Sequence, residues 1–157
     1  MGYFPLFYKL TNKKILVIGG GVIAFAKLET LVTYSDHITV LAPEFHSELR
    51  NFVKVRSVKL LEETYSDKIL DDYAIIIIAT DNHELNHEIA IVAKAKHKIV
   101  NLVDDAANSD FIFPAIVKRD NITVAISSSG VSPVLSRLLK QKIEKLIPNN
   151  FTRLDGF

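Results

Sequence analysis

Cysteine is absent from the sequence, and with it go disulfides, thiolate metal sites and a cysteine nucleophile. A chain without cysteine suits a reducing compartment. An excess of charge of either sign is missing as well. The chain has 19 lysines and arginines against 18 aspartates and glutamates, a net charge of +1. That balance leaves no whole-molecule field to attract nucleic acid or a membrane surface. Long apolar runs are also missing. The longest, AIIIIA at Ala74 to Ala79, falls far short of the roughly 20 residues of a membrane span. The opening MGYFPLFYKL has no basic leader, no long apolar stretch and no small-residue cleavage site. Leu6 stands where a myristoylation signal needs Ser or Thr. The expectation is a soluble, cytoplasmic protein.

What is present is ordinary globular composition. Of 157 residues, 48% are hydrophobic and 24% charged, enough for one domain with a core and a small appendage. Short apolar runs predict strands at Ile15 to Ile18, Ile38 to Leu41, Val58 to Leu61, Ala74 to Ala79 and Lys98 to Val103. Helical spacing predicts helices from Val22 to about Tyr34, with Ala24, Leu28 and Leu31 on one face, from Phe45 to Val53, and from Asn82 to Lys96. Strands alternating with helices imply an α/β, Rossmann-like, doubly wound parallel sheet. After Asp110 the pattern changes. Phe111 to Val117 and Ile122 to Ile126 read as two strands joined by a turn at Arg119-Asp120-Asn121. A last helix is capped by Ser132, begun by Pro133 and stopped by Pro148-Asn149-Asn150. The expected division is a nucleotide-binding domain over 1–112 and a small β-β-α dimerisation appendage over 113–157, too small to fold alone.

The sharpest local signal is KILVIGGGVIAFAK, Lys14 to Lys27. Gly19-Gly20-Gly21-Val22-Ile23-Ala24 fits G-x-G-x-x-G/A between a strand and a helix, the place of the dinucleotide fingerprint. Gly19 permits the tight turn, Gly21 lets a pyrophosphate approach the backbone, and Ala24 allows close helix–strand packing. The N–H groups at the helix start then bind phosphate. The fingerprint's ribose-binding acid has its counterpart in Glu44, after Leu41-Ala42-Pro43. Arg50, a helical turn or more away, is badly placed for a 2′-phosphate, so NAD is favoured over NADP.

Three further groups carry chemistry on paper. His83-Glu84-Leu85-Asn86-His87 matches H-E-x-x-H, the helix of zinc proteases. It lacks an evident third ligand, so it reads as chance on a solvated helix, and no metal site is expected. His37, His46 and His97 read as lone surface residues. Asp104-Asp105 follows the strand at Lys98 to Val103, on the edge where a doubly wound sheet binds its ligands. A pair of carboxylates there suits proton transfer, and equally suits a turn capped by Asp side chains. Ser127-Ser128-Ser129-Gly130 is a second anion-friendly loop, with Lys118, Arg119, Arg137 and Lys140 around it. Lys27, one turn beyond Ala24, is placed to reach a carboxylate near the cofactor.

In combination these segments resemble the precorrin-2 dehydrogenases, the N-terminal module of sirohaem synthase. The likeness runs from Phe4-Pro5-Leu6-Phe7 to the last helix. It is carried by PLFYKL, KKILVIGGGVIAFAK, TVLAPE, IIATD, NLVDD, DFIFPA and SSSGVSPVLSRLLKQKIE. The resemblance implies NAD-dependent oxidation of precorrin-2, an octacarboxylate tetrapyrrole, to sirohydrochlorin, followed in some members by insertion of ferrous iron. It implies a homodimer exchanging contacts through the region after the nucleotide domain. It makes Asp104 the general base, Val22, Ile23, Pro43 and Glu44 the NAD contacts, and Ser128 a residue of the substrate side and a candidate phosphorylation position. Two features depart from the family. Ala26-Lys27 stands where members often have Arg-Lys, and the usual C-terminal helical domain does not follow before Phe157. The tetrapyrrole site is then incomplete, more open, or finished by another subunit. The second expectation is a non-catalytic NAD-binding dimer with a regulatory or scaffold role, which would bind NAD and ignore precorrin-2.

Overall fold

The computed structural model describes residues 2–54 and 56–147. Its first unit, Pro5–Phe111, is built on five parallel strands. In chain order these are β1 (Ile15–Ile18), β2 (Ile38–Leu41), β3 (Val58–Leu61), β4 (Ile75–Ile78) and β5 (Ile99–Leu102), arranged β3-β2-β1-β4-β5. The central strand β1 sets Ile15 beside Ile38 and Ile75, and Ile18 beside Leu41 and Ile78. All four residues of β1, β2 and β4 are buried, as strands covered on both faces must be. Each fully buried Ile, Leu or Val here contributes about 1.5–3 kcal/mol.

Helices cover the faces. In α1 (Val22–Leu31) the buried residues are Ala24, Leu28 and Leu31, the stripe that the spacing predicts. In α2 (Ser47–Val53) Leu49 is buried. In α3 (His83–Ala95) the buried face is Asn86, Ile89, Ala90 and Ala93, three apolar residues and one amide. The open edge of β5 is covered by the chain that follows it. Val100 N–H donates to Asp110 Oδ2, and Leu102 N–H to Ser109 Oγ, both at 2.8 Å. That cover blunts an edge strand and holds the segment carrying Asp104 and Asp105 against the sheet.

The second unit runs from Ile112 onward, with the residues before Pro5. Antiparallel β6 (Ala115–Arg119) and β7 (Ile122–Ile126) form a hairpin, and α4 (Pro133–Leu146) packs on it. The two-residue turn places Asp120 at φ 47°, a conformation that Asp tolerates. Among the described residues no helix is long and apolar enough to cross a membrane.

Several boundaries differ from those read in the sequence. β6 begins at Ala115, not Phe111, because Pro114 has no N–H for a ladder. Helix α1 ends at Leu31, not near Tyr34. Its continuation contains β-branched Val32 and Thr33, and Tyr34 and Ser35 close a turn on the Leu31 carbonyl. Helix α2 starts at Ser47 because Phe45 is drawn into the core. A 3-10 turn at Asp67–Asp72, burying Leu70, has no counterpart in the sequence reading. The stop at Pro148-Asn149-Asn150 lies outside the described residues.

Candidate functional site: a glycine cradle and a carboxylate cluster on one sheet edge

The strand order reverses at β1, between β2 and β4, which puts a switch point at the carboxyl end of β1. Each of the three glycines there has its own reason. Gly19 adopts φ 130°, and a Cβ on it would lie 2.2 Å from the Ala79 carbonyl oxygen that crosses over from β4. Gly20 is closed off as well: its Cβ would meet the Glu44 carbonyl oxygen at 1.9 Å. The chain after β2 is pinned at that point, since His46 N–H donates to the Gly20 carbonyl at 2.8 Å. Gly21 is the opposite case. It has φ −87° and a Cβ would meet nothing within 4 Å, so the space above it is open.

Helix α1 starts at this opening with no side-chain cap and no acidic residue in its first turn. Its first N–H groups and the positive end of its dipole are available to an anion. Val22 and Ile23 are more than half exposed, an apolar floor beside the cradle. Glu44 is exposed on the neighbouring loop. Arg50 is engaged elsewhere, paired with Glu62 and lying over the Phe45 ring at 5.3 Å. An open cradle, an uncapped helix start and an acid on the second strand's loop fit a dinucleotide without a 2′-phosphate.

The same edge carries a hydrogen-bonded cluster at the ends of β4 and β5. Asp104 Oδ2 is held by the His83 ring Nδ1 and by Asn86 Nδ2 at 3.2 Å. Asn86 is fully buried. It also donates to the Thr80 carbonyl at 3.0 Å and accepts from the Thr80 hydroxyl. Asn82 caps α3 by accepting from Leu85 N–H at 3.1 Å, which fixes the first turn and so the position of His83. Burial works to raise the Asp104 carboxyl, but hydrogen bonds from His83 and Asn86, with the charge of His83, outweigh it and hold the group below the usual carboxylate range.

Asp105 is built differently. Its carboxylate accepts from the Asn108 side chain at 2.6 Å and from Asn108 N–H at 3.1 Å, and these bonds hold its carboxyl low. Asp105 is therefore the turn-building residue of the two. His87 Nε2 lies 3.8 Å from its Oδ2. The two histidines that the sequence reading left as chance on a solvated helix thus each stand beside one carboxylate. His83, Asn86 and Thr80 were missed as site residues. A polar residue on the otherwise apolar stripe Asn86, Ile89, Ala90, Ala93 was the available signal. Among the described residues no three His, Cys, Asp or Glu come together to hold a metal. His37, His46 and His97 are exposed.

Lys27 is half-buried on α1, and burial lowers its pKa. In the second unit Ser128 Oγ accepts from Ser132 N–H at 3.0 Å, and Ser132 caps α4 by accepting from Leu135 N–H. Ser129 and Gly130 both have positive φ, which turns the Ser127 to Gly130 loop sharply. Arg137 is exposed on α4.

Over residues 6–115 the sequence matches the model of a family described as NAD(P)-binding. The chain belongs to that family. Residues 119–146 match a second model, the central region of sirohaem biosynthesis proteins. Siroheme synthase of Pseudoalteromonas translucida is 42% identical over 161 residues, covering 100% of this chain and 34% of its own. Siroheme synthase of Psychrobacter cryohalolentis is 43% identical over 154 residues, covering 98% of this chain and 29% of its own. The chain therefore spans about a third of the length of these curated relatives. A solved structure, SirC, precorrin-2 dehydrogenase, superposes with a TM-score of 0.76 at 22% identity, covering 96% of this chain and 74% of that one. That likeness bears out the Rossmann-like fold, and the matches together bear out the family resemblance read from the sequence.

Proposed function

We propose that the chain carries out the NAD-dependent dehydrogenation of precorrin-2 to sirohydrochlorin. The observation that carries this reading is the joint presence, on one carboxyl edge, of an open glycine cradle and a fixed, ionised carboxylate at Asp104. Gly19, Gly21, Val22, Ile23 and Ala24 are assigned to the pyrophosphate side of NAD, and Pro43 and Glu44 to its ribose side. Glu44 accepts from a ribose hydroxyl and repels a 2′-phosphate. The dinucleotide, when bound, supplies the hydride acceptor. The chain's own part is to hold the substrate, shield it from water and remove the accompanying proton through the Asp104 cluster. A carboxylate there also steadies the cation left in the macrocycle. Ser128 is assigned to the substrate side on the sequence resemblance, and Lys27 and Arg137, on their position and charge, to the acidic side chains of the tetrapyrrole.

The proposal extends to a homodimer, because α4 presents Val134, Leu135, Leu138 and Leu146 at half exposure or more. It also places the chain in the cytoplasm, as a protein without cysteine. The test is absorbance during incubation of the protein with precorrin-2 and NAD. Appearance of the sirohydrochlorin spectrum with stoichiometric NADH is expected. Binding of NAD without any turnover would replace this reading with that of a non-catalytic NAD-binding protein. Ferrous iron, a substrate in that experiment, is added second to read out its insertion.

A further inference from the structure

Asp104 is poorly presented as a lone base. Its side chain is 19% exposed, and Oδ2 already receives two donors, the His83 ring and the Asn86 amide. The His83 side chain, in contrast, is 76% exposed. A ring that donates from Nδ1 to a carboxylate carries its lone pair on Nε2. The other titratable groups about it are Asp105 on the loop after β5, His87 and Glu84 on α3, and Asp81 ahead of that helix. Of these, Asp105 is committed to Asn108 and is the one near His87. Asp104 therefore stands as the orienting partner of His83. Asn86, buried and tied to Thr80, fixes Asp104 in turn.

We infer that the atom taking the proton in the proposed dehydrogenation is Nε2 of His83, with Asp104 as the positioning carboxylate, so that the base is a pair and not a lone acid. The inference rests on the proposed dehydrogenation and deepens it. In the step itself the hydride leaves the macrocycle for NAD with its electron pair. A second bond from the macrocycle to hydrogen breaks and leaves its pair behind as a new double bond. The N–H bond forms at Nε2, and the imidazolium, stabilised by Asp104, then gives its proton to water. The logic is that of a base oriented by a hydrogen-bonded carboxylate.

The test compares His83→Gln, His83→Ala and Asp104→Asn with the wild type, with NAD affinity by calorimetry as the check on folding. Glutamine retains a donor for Asp104 but cannot accept the proton. His83→Gln should slow oxidation by about 10²-fold or more. Free imidazole should restore His83→Ala several-fold and leave Asp104→Asn unrestored. Nitrogen NMR of the protein without substrate should find the proton on Nδ1 of His83 in the wild type and a shift toward Nε2 in Asp104→Asn. Wild-type rates in His83→Gln beside a slow Asp104→Asn would overturn the pair and leave the proposed dehydrogenation standing. Absence of turnover in the wild type itself would overturn the dehydrogenation, and this assignment with it.

Discussion

Asn86, a residue without exposed surface, donates from Nδ2 to Oδ2 of Asp104 at 3.2 Å. The amide spans two strand ends, because it also bonds Thr80 at the end of β4 while Asp104 follows β5. A buried amide on an apolar helix face is costly unless every bond is made. Here the bonds serve to hold a carboxylate.

Asn86→Leu keeps much of the volume and removes the donor. The Thr80 carbonyl and the Asp104 carboxylate each lose a partner, and a deprived buried polar group costs about 1–3 kcal/mol. A lower urea midpoint with an unchanged slope is expected. The Asp104 carboxyl should also move upward, since one of the bonds holding it low is gone. An unchanged midpoint would show that water replaces the amide freely.

The glycine turn gives a sharper contrast. Gly21→Val adds its branches to open space at an ordinary φ, so the protein should fold and lose NAD affinity. Gly20→Ala drives a methyl into the Glu44 carbonyl, so it should destabilise the fold before any question of binding arises. Calorimetry on the folded Gly21→Val protein decides the first point. Equal NAD affinity in that variant and the wild type would remove the cradle from the cofactor site.

These two cases show what was legible in the sequence. Gly21, Ala24 and the tight turn at Gly19 follow from local chain chemistry, and so does the parallel sheet, although the Ala79 carbonyl that also closes off Gly19 does not. Gly20 and Asn86 do not, because their reasons lie in residues distant in sequence, Glu44 and Asp104. The same holds for His83 and His87. As a motif they suggested a zinc helix or nothing, and their carboxylate partners come from the loop after β5. The preference for Asp104 over Asp105 came from the resemblance alone, and its physical reason lies in the fold: Asp104 is bonded to His83 and Asn86 of α3, whereas Asp105 closes its own turn on Asn108. The 3-10 turn at Asp67–Asp72 has too short a pattern to announce itself.

Helix α4 exposes Val134, Leu135, Leu138 and Leu146, an apolar stripe that a second copy of the chain would bury. Light scattering should give near twice 17.6 kDa at micromolar concentration. Leu138→Arg, which puts a charge in the middle of the stripe, should move the protein toward the single-chain mass while leaving NAD binding intact. A wild-type mass of one chain at that concentration would refute the dimer.

Stability should depend on pH through three carboxylates. Asp71 is held low by its hydrogen bond to Lys96, Asp104, against the upward push of its burial, by His83 and Asn86, and Asp105 by Asn108. All three bind protons more readily in the unfolded chain, so stability rises with pH where the unfolded carboxyls titrate, near about 4. Their contribution is complete above that range and is lost as the pH falls through it. Urea midpoints should be level from neutral pH to about 5 and drop below about 4, with a shallower drop in Asp104→Asn. A midpoint that stays level in acid would contradict the assigned bonds.

Asp104 and Asp105 are neighbours in sequence with different partners, and substitution should separate them. Asp104→Asn keeps the shape and the bond to Asn86 in altered form, but it removes the charge that orients and stabilises the His83 ring. The rate of precorrin-2 oxidation should fall about 10²–10⁴-fold, the usual worth of positioned acid–base chemistry, with NAD affinity little changed. Asp105→Asn disturbs the turn it makes with Asn108 and the 3.8 Å approach of His87, neither of which touches the Asp104 cluster. Its rate should stay within about tenfold of wild type, well short of what a lost base costs. Steady-state rates at saturating NAD settle the order. A slow Asp105→Asn beside a normal Asp104→Asn would reverse the two roles and move the proton-accepting side of the site to His87.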